Sequence, residues 1–141
     1  MIVRLNPSLK PDADHRPMKP ALLALPFVLA IALVVYVEGS FNGFVVWNAL
    51  PVLLGFGVLV AGRRARLPIV AGCTAFAVLA TLPVVLFHLA WLFDWGGIAT
   101  SSSTSALAFI FVPLWACVFA GIAGVLAWGV VRVVCKNHVA G

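Results

Sequence analysis

The chain has 141 residues, of which 64% are hydrophobic and 9% charged, with a mean hydropathy of +1.16 and a net charge of +5. A soluble domain is about 45–50% apolar and about 25% charged, so a water-soluble globule is excluded, as is a disordered chain, which needs low hydrophobicity and high charge. The isoelectric point near 9.7 does not mark a nucleic-acid binder, because the nine basic residues fall in three short segments and make no single patch.

The first 20 residues hold Pro7, Pro11, Pro17 and Pro20 together with Arg4, Lys10, Arg16 and Lys19. That many prolines forbid a long helix and favour an extended chain. Residues 1–20 are therefore read as a flexible basic tail lying near anionic headgroups; a docking peptide for a cytoplasmic partner is the sharper alternative.

Four apolar stretches follow, at about 21–37, 44–61, 68–93 and 106–134. A spanning helix needs about 20 residues, within a range of about 17–25. The first two should stand nearly upright, and the longer third and fourth should tilt, bend or protrude. No alternating polar and apolar segments suggest strands, and helices satisfy their own backbone in lipid. The expected fold class is all-α: a polytopic four-transmembrane-helix bundle over 21–134, with a short tail at 135–141. A cleaved signal peptide competes for the first stretch. Its apolar region would run about 7–15 residues to a small-residue site, whereas this one is longer and ends at Val37-Glu38-Gly39. It is read as a span.

The basic residues set the orientation. All nine lie in the N-terminal tail, in the turn Gly62-Arg63-Arg64-Ala65-Arg66, or at Arg132 and Lys136. The loops near 38–43 and 94–105 have none. The positive-inside rule then puts both termini in the cytoplasm, with Glu38 and Asp94 outside. The lipid bilayer, with anionic headgroups at the cytoplasmic face, is the first expected partner. A second copy of the chain or another membrane protein is the next; nucleic acid is not one. The two outer loops share an aromatic, an acid and a glycine (Tyr36-Val37-Glu38-Gly39 and Phe93-Asp94-Trp95-Gly96), which could be a relic of hairpin duplication, although the rest of the two halves does not align.

Small residues at four-residue spacing let helices approach in lipid. The predicted ridges are Ala116, Ala120 and Gly124 with Gly121 and Cys117 on the fourth helix, Ala71 with Ala75 and Cys73 with Ala77 on the third, and Gly57 with Ala61 on the second. Pro51, Pro83 and Pro113 are expected to bend their helices.

The patterned polar signal is on the third stretch, where Thr74, Thr81, His88 and Trp95 recur every seventh residue. Each step drifts only about 20° on a helix, so all four share a face. His88 is the ionisable residue within the spans, and such a residue is a functional hypothesis by default. The candidate ligand-binding set is His88, Asp94, Glu38, Thr81 and Ser103, forming a polar mouth on the outer side. The competing reading bonds His88 to a neighbouring carbonyl, and the threonine hydroxyls to their own helix.

Several chemistries lack their residues. A two-histidine haem needs a second intramembrane His, and His15 and His138 lie in the tails. Cys73, Cys117 and Cys135 form no C-x-x-C pair. No spacing supports a zinc site, and H-E-x-x-H, phosphate-loop and G-x-S-x-G motifs are missing. No cofactor and no metal are expected, and the reading leans away from an enzyme.

The run Asp94-Trp95-Gly96-Gly97, then Ser101-Ser102-Ser103-Thr104-Ser105-Ala106-Leu107-Ala108-Phe109-Ile110-Phe111-Val112-Pro113-Leu114, resembles a recurring pattern in small four-helix bacterial inner-membrane proteins of uncharacterised activity. The resemblance, from His88 to Trp115, covers about a fifth of the chain. It implies a four-span bundle in a bacterial inner membrane with that loop outside, and carries no activity. Three function classes follow. The first is an accessory or interaction subunit, including a protector protein. The second is an oligomeric transporter or channel subunit using the polar face of the third helix. The third is a membrane enzyme or cofactor or metal binder at an outer His88/Asp94 site.

Overall fold

A computed structural model describes residues 20–39, 42–100 and 105–140. Four long helices account for nearly all of them: α1 (Pro20–Glu38), α2 (Gly43–Gly62), α3 (Leu67–Leu92) and α4 (Ala108–Ala140). Single 3-10 turns occupy Trp95–Gly97 and Ser105–Leu107. Ser103 and the N-terminal tail lie outside the described residues. All four helices are long and apolar enough to cross a membrane, which makes this a multi-pass membrane protein.

The helix ends follow from local chemistry. Asn42 caps α2, its side-chain oxygen accepting from the backbone N–H of Phe44 at 2.8 Å and of Val45 at 3.2 Å. Such a cap contributes about 1 kcal/mol. Arg66 enters α3 in an extended conformation ahead of Leu67 and Pro68, and the missing proline N–H costs nothing in a first turn. Gly39 ends α1 with φ +69°, and its N–H bonds Val35 O at 3.2 Å. α4 runs through Ala140, beyond the Val134 boundary suggested by its apolar run. Its 33 residues reach about 50 Å, more than the roughly 30 Å hydrocarbon thickness. The polar run Lys136, Asn137 and His138 stays helical, and Lys136 and His138 suit the negative end of the helix dipole.

Pro26, Pro51, Pro83 and Pro113 sit inside α1 to α4 respectively. Each helix continues through its proline. Pro51 and Pro113 are among the most deeply buried side chains, so neighbouring helices pack against the points where a backbone bond is lost.

Side-chain size sorts inside from outside. The buried apolar set is Phe27, Ala30 and Val34 of α1, Val45, Ala49 and Val52 of α2, Ala77, Ala80, Val84 and Phe87 of α3, and Ala116 and Ala120 of α4. Exposed positions carry large residues such as Leu25, Leu54, Leu86, Phe119 and Leu126. Lipid gives no hydrophobic drive for helix association, so close packing of small residues takes that role.

The most extensive contact joins α3 to α4; α2 packs on both, and α1 packs on α2 and α3 without backbone contact to α4. Glycines set the closest approaches. A Cβ at Gly72 would lie 2.9 Å from the Gly124 carbonyl oxygen, and one at Gly124 would lie 3.2 Å from that of Gly72. Between α2 and α3, Gly55 faces the Ala77 backbone and Gly62 faces the Cys73 side chain. The predicted ridges shift accordingly. Ala116, Ala120 and Gly124 meet neighbouring helices, and Ala71 and Ala75 are half-buried. Gly121 and Gly57 have open space where a side chain would go, and Ala61 is exposed. On α2 the contact glycines are Gly55 and Gly62, a face turned away from Gly57.

Candidate functional site

Arg63, Arg64, Arg66, Arg132 and Lys136 gather at one end of the helices, and Glu38 and Asp94 at the other. These are called the basic and acidic ends. His88 lies one turn below the acidic end of α3 and is fully buried. Its Nδ1 is 2.8 Å from the Val84 carbonyl oxygen, one turn back on the same helix. The carbonyl freed by Pro83 is that of Leu79, so it is not the partner. Phe87 and Phe109 stand edge-on to the imidazole at centroid distances of 5.6 and 5.5 Å, and Trp91 packs on Phe109 at 4.7 Å. α3 and α4 thus wall the ring with aromatics.

The remaining side of His88 meets α1. Nε2 is 3.6 Å from Glu38 Oε1, and the Glu38 side chain is only 7% exposed. Neither Glu38 oxygen nor His88 Nε2 has a hydrogen-bond partner within 3.5 Å. An acid of α1 and a base of α3 thus meet at the acidic end.

Asp94 does not join them. It adopts φ +48°, a left-handed conformation uncommon outside glycine. This curls the chain so that Asp94 Oδ1 accepts from Ala99 N–H and Oδ2 from the Thr100 hydroxyl, each at 2.8 Å. The Thr100 hydroxyl, then the Ala99 N–H, hold the carboxyl below its ordinary value of 3.8. Of the two acids in the candidate set, Asp94 closes its own loop, and Glu38 is the acid at His88.

The threonines of the stripe also face α1. Thr74 and Thr81 line a cleft of about 650 Å³ between α1 and α3, whose other walls are apolar, including Leu22, Pro26 and Leu33. Thr74 back-bonds to Val70 O at 2.9 Å, whereas the Thr81 hydroxyl has no partner. Trp95 lies past the end of α3 and is exposed. His88, Glu38 and Asn48 do not line this cleft.

Asn48 is the polar residue the sequence reading passed over. It is fully buried in α2, donates to Phe44 O at 3.1 Å and leaves its side-chain oxygen without a partner. A lone amide in the apolar run 43–62 was the available signal. Trp47, one residue earlier, donates its indole N–H to Ile110 O at 3.0 Å and ties α2 to α4. Among the described residues, no three His, Cys, Asp or Glu side chains converge as a metal site, and all three cysteines are free and half-buried.

Compared with known protein families, with curated proteins and with solved structures, the chain finds no match.

Proposed function

We propose that this is a multi-pass protein of a bacterial inner membrane, with both termini cytoplasmic, acting as an accessory or protector subunit that binds another membrane component. The orientation rests on charge: every Lys and Arg lies at the basic end or in the N-terminal tail, the pattern of cytoplasmic segments. One observation carries the accessory reading. The most deeply buried polar side chains, His88 and Asn48, are packed inside the bundle and line no part of the cleft, so neither is presented to a ligand there. The outward surface of α4, with Trp115 stacked on Phe119 at 5.6 Å, offers broad apolar area to a neighbouring helix.

The test places a photo-crosslinking amino acid at Trp115 or Phe119 in living cells. One discrete, stoichiometric protein adduct, with no ion or solute flux from the purified protein in liposomes, supports the reading. Lipid adducts alone together with a saturable flux refute it. Orientation is checked in a background lacking Cys73, Cys117 and Cys135. Ser102→Cys should react with an impermeant thiol reagent from outside and Ala65→Cys should not; the reverse pattern overturns the topology.

A transport role has one observation in its favour, that Thr74 and Thr81 line the α1–α3 cleft. It would need an assembly in which that cleft is closed over and hydrated.

A further inference from the structure

The position of His88 fixes half of its proton inventory. A carbonyl oxygen only accepts, so Nδ1, 2.8 Å from Val84 O, carries a hydrogen. Nε2 then turns either a lone pair or a second hydrogen toward Glu38 Oε1, 3.6 Å away. Both carboxyl oxygens and Nε2 are shut off from solvent and lack other partners. With no hydrogen between them, a carboxylate faces a lone pair in a low-dielectric setting. With two, an imidazolium sits beside a neutral acid and its charge is buried unpaired. A single hydrogen leaves the pair neutral overall, as imidazolium with carboxylate or imidazole with carboxylic acid, and it avoids the cost of an isolated buried charge.

We propose that Glu38 and His88 together form a binding site for one exchangeable proton, and that this proton holds the end of α1 against α3. The proton comes from water at the acidic end. Glu38 is the last residue of α1, and Gly39 follows it at φ +69°, so the carboxyl sits where a short movement reaches that water. On release, one proton passes to solvent, His88 keeps its Nδ1 hydrogen, and the carboxylate, now facing a lone pair, turns outward. The last turn of α1 loosens with it. No other group competes for the titration. Asp94 is engaged by Ala99 and Thr100, and Tyr36 points outward, 71% exposed. Residues 43–52 of α2 and 108–116 of α4, the parts of those helices at this depth, contain no titratable side chain. The buried Asn48 is an amide.

The full chain in lipid nanodiscs, labelled with ¹⁵N-histidine, gives the test. His88 Nδ1 should stay protonated across the pH range, while Nε2 passes through one transition. Amide exchange at the last turn of α1 should rise through the same transition, by about tenfold beyond simple base catalysis. Glu38→Gln places a permanent N–H donor against Nε2, so it should abolish the transition and keep exchange slow. His88→Leu gives an independent arm: with no base to share the proton, the carboxylate should turn outward and the last turn should exchange fast at neutral pH. Three results would overturn the proposal: an Nδ1 without hydrogen, an Nε2 transition unchanged in Glu38→Gln, or exchange at α1 that does not follow Nε2.

Discussion

Adding one methyl group at two glycines of the molecule should have opposite effects. Alanine is about 1 kcal/mol better than glycine in a helix interior, so Gly→Ala should stabilise wherever the new Cβ meets nothing. Gly121 meets that condition, with no atom beyond its own local helix backbone within 4 Å of the added carbon. At Gly72 the carbon would lie 2.9 Å from Gly124 O and 3.1 Å from Trp128 Cβ. The first obstacle is backbone and cannot rotate away. Ordinary contact begins near 3.4 Å, so α3 and α4 must separate by about half an ångström along their closest approach. Overpacking of this kind costs about 1–3 kcal/mol. Gly72→Ala should therefore be destabilising by up to about 2 kcal/mol after the propensity gain, and Gly121→Ala stabilising by up to about 1. Reversible unfolding in mixed micelles, or steric trapping in bicelles, measures both. Equal effects at the two sites, or a stabilising Gly72→Ala, would refute the α3–α4 contact as described.

Other expectations concern the polar groups. His88→Leu takes away the partner of the Glu38 carboxyl and should cost about 1–3 kcal/mol, whereas adding Glu38→Leu should recover part of that loss. Strict additivity in this double-mutant cycle would show that the two side chains do not interact. Asp94 has its carboxyl lowered from 3.8 by Thr100 and Ala99. Because the folded value lies below the unfolded one, its contribution is full above about 3.8 and is lost as pH falls through the lowered value. A ¹³C carboxyl titration should give a midpoint under 3.8 that Thr100→Ala raises, and a midpoint at or above 3.8 counts against the loop geometry. Trp47→Phe removes the bond to Ile110 O and should cost about 1 kcal/mol, read in the same unfolding assay; a neutral result would mean that the indole N–H is equally well served elsewhere.

The spans were legible because the hydrocarbon core imposes a length. Runs that ended at Val37, Ala61 and Phe93 by hydropathy end at Glu38, Gly62 and Leu92 in the helices. α4 outran its apolar stretch because a helix emerging into water need not stop when its residues become polar. Helix faces were harder to read. α2 is apolar apart from Asn48, and Gly55 and Gly62 follow that residue at steps of seven, on the face a buried amide must take; the signal for Gly55 over Gly57 was this single side chain. The inward turn of Thr81 and His88 followed from the expense of polar groups in lipid. Their partners did not follow. Glu38 and Asp94 sit in similar loop contexts at the same end, and the choice between them was made by the left-handed turn at Asp94, which the residues before it do not announce.

The order of synthesis gives the Glu38–His88 contact a history. Glu38 precedes His88 by fifty residues, which at about 5–20 residues per second is a delay of roughly 3–10 seconds. During that interval the acid of α1 is unmatched while α2 and then most of α3 are made. An acid in mid-span would burden insertion for that whole time. At the C-terminal end of α1 it can wait among headgroups and water, and it comes under cover only when the third helix delivers the base. The placement of Glu38 at the rim thus lets a buried pair be assembled from a helix that must first stand alone.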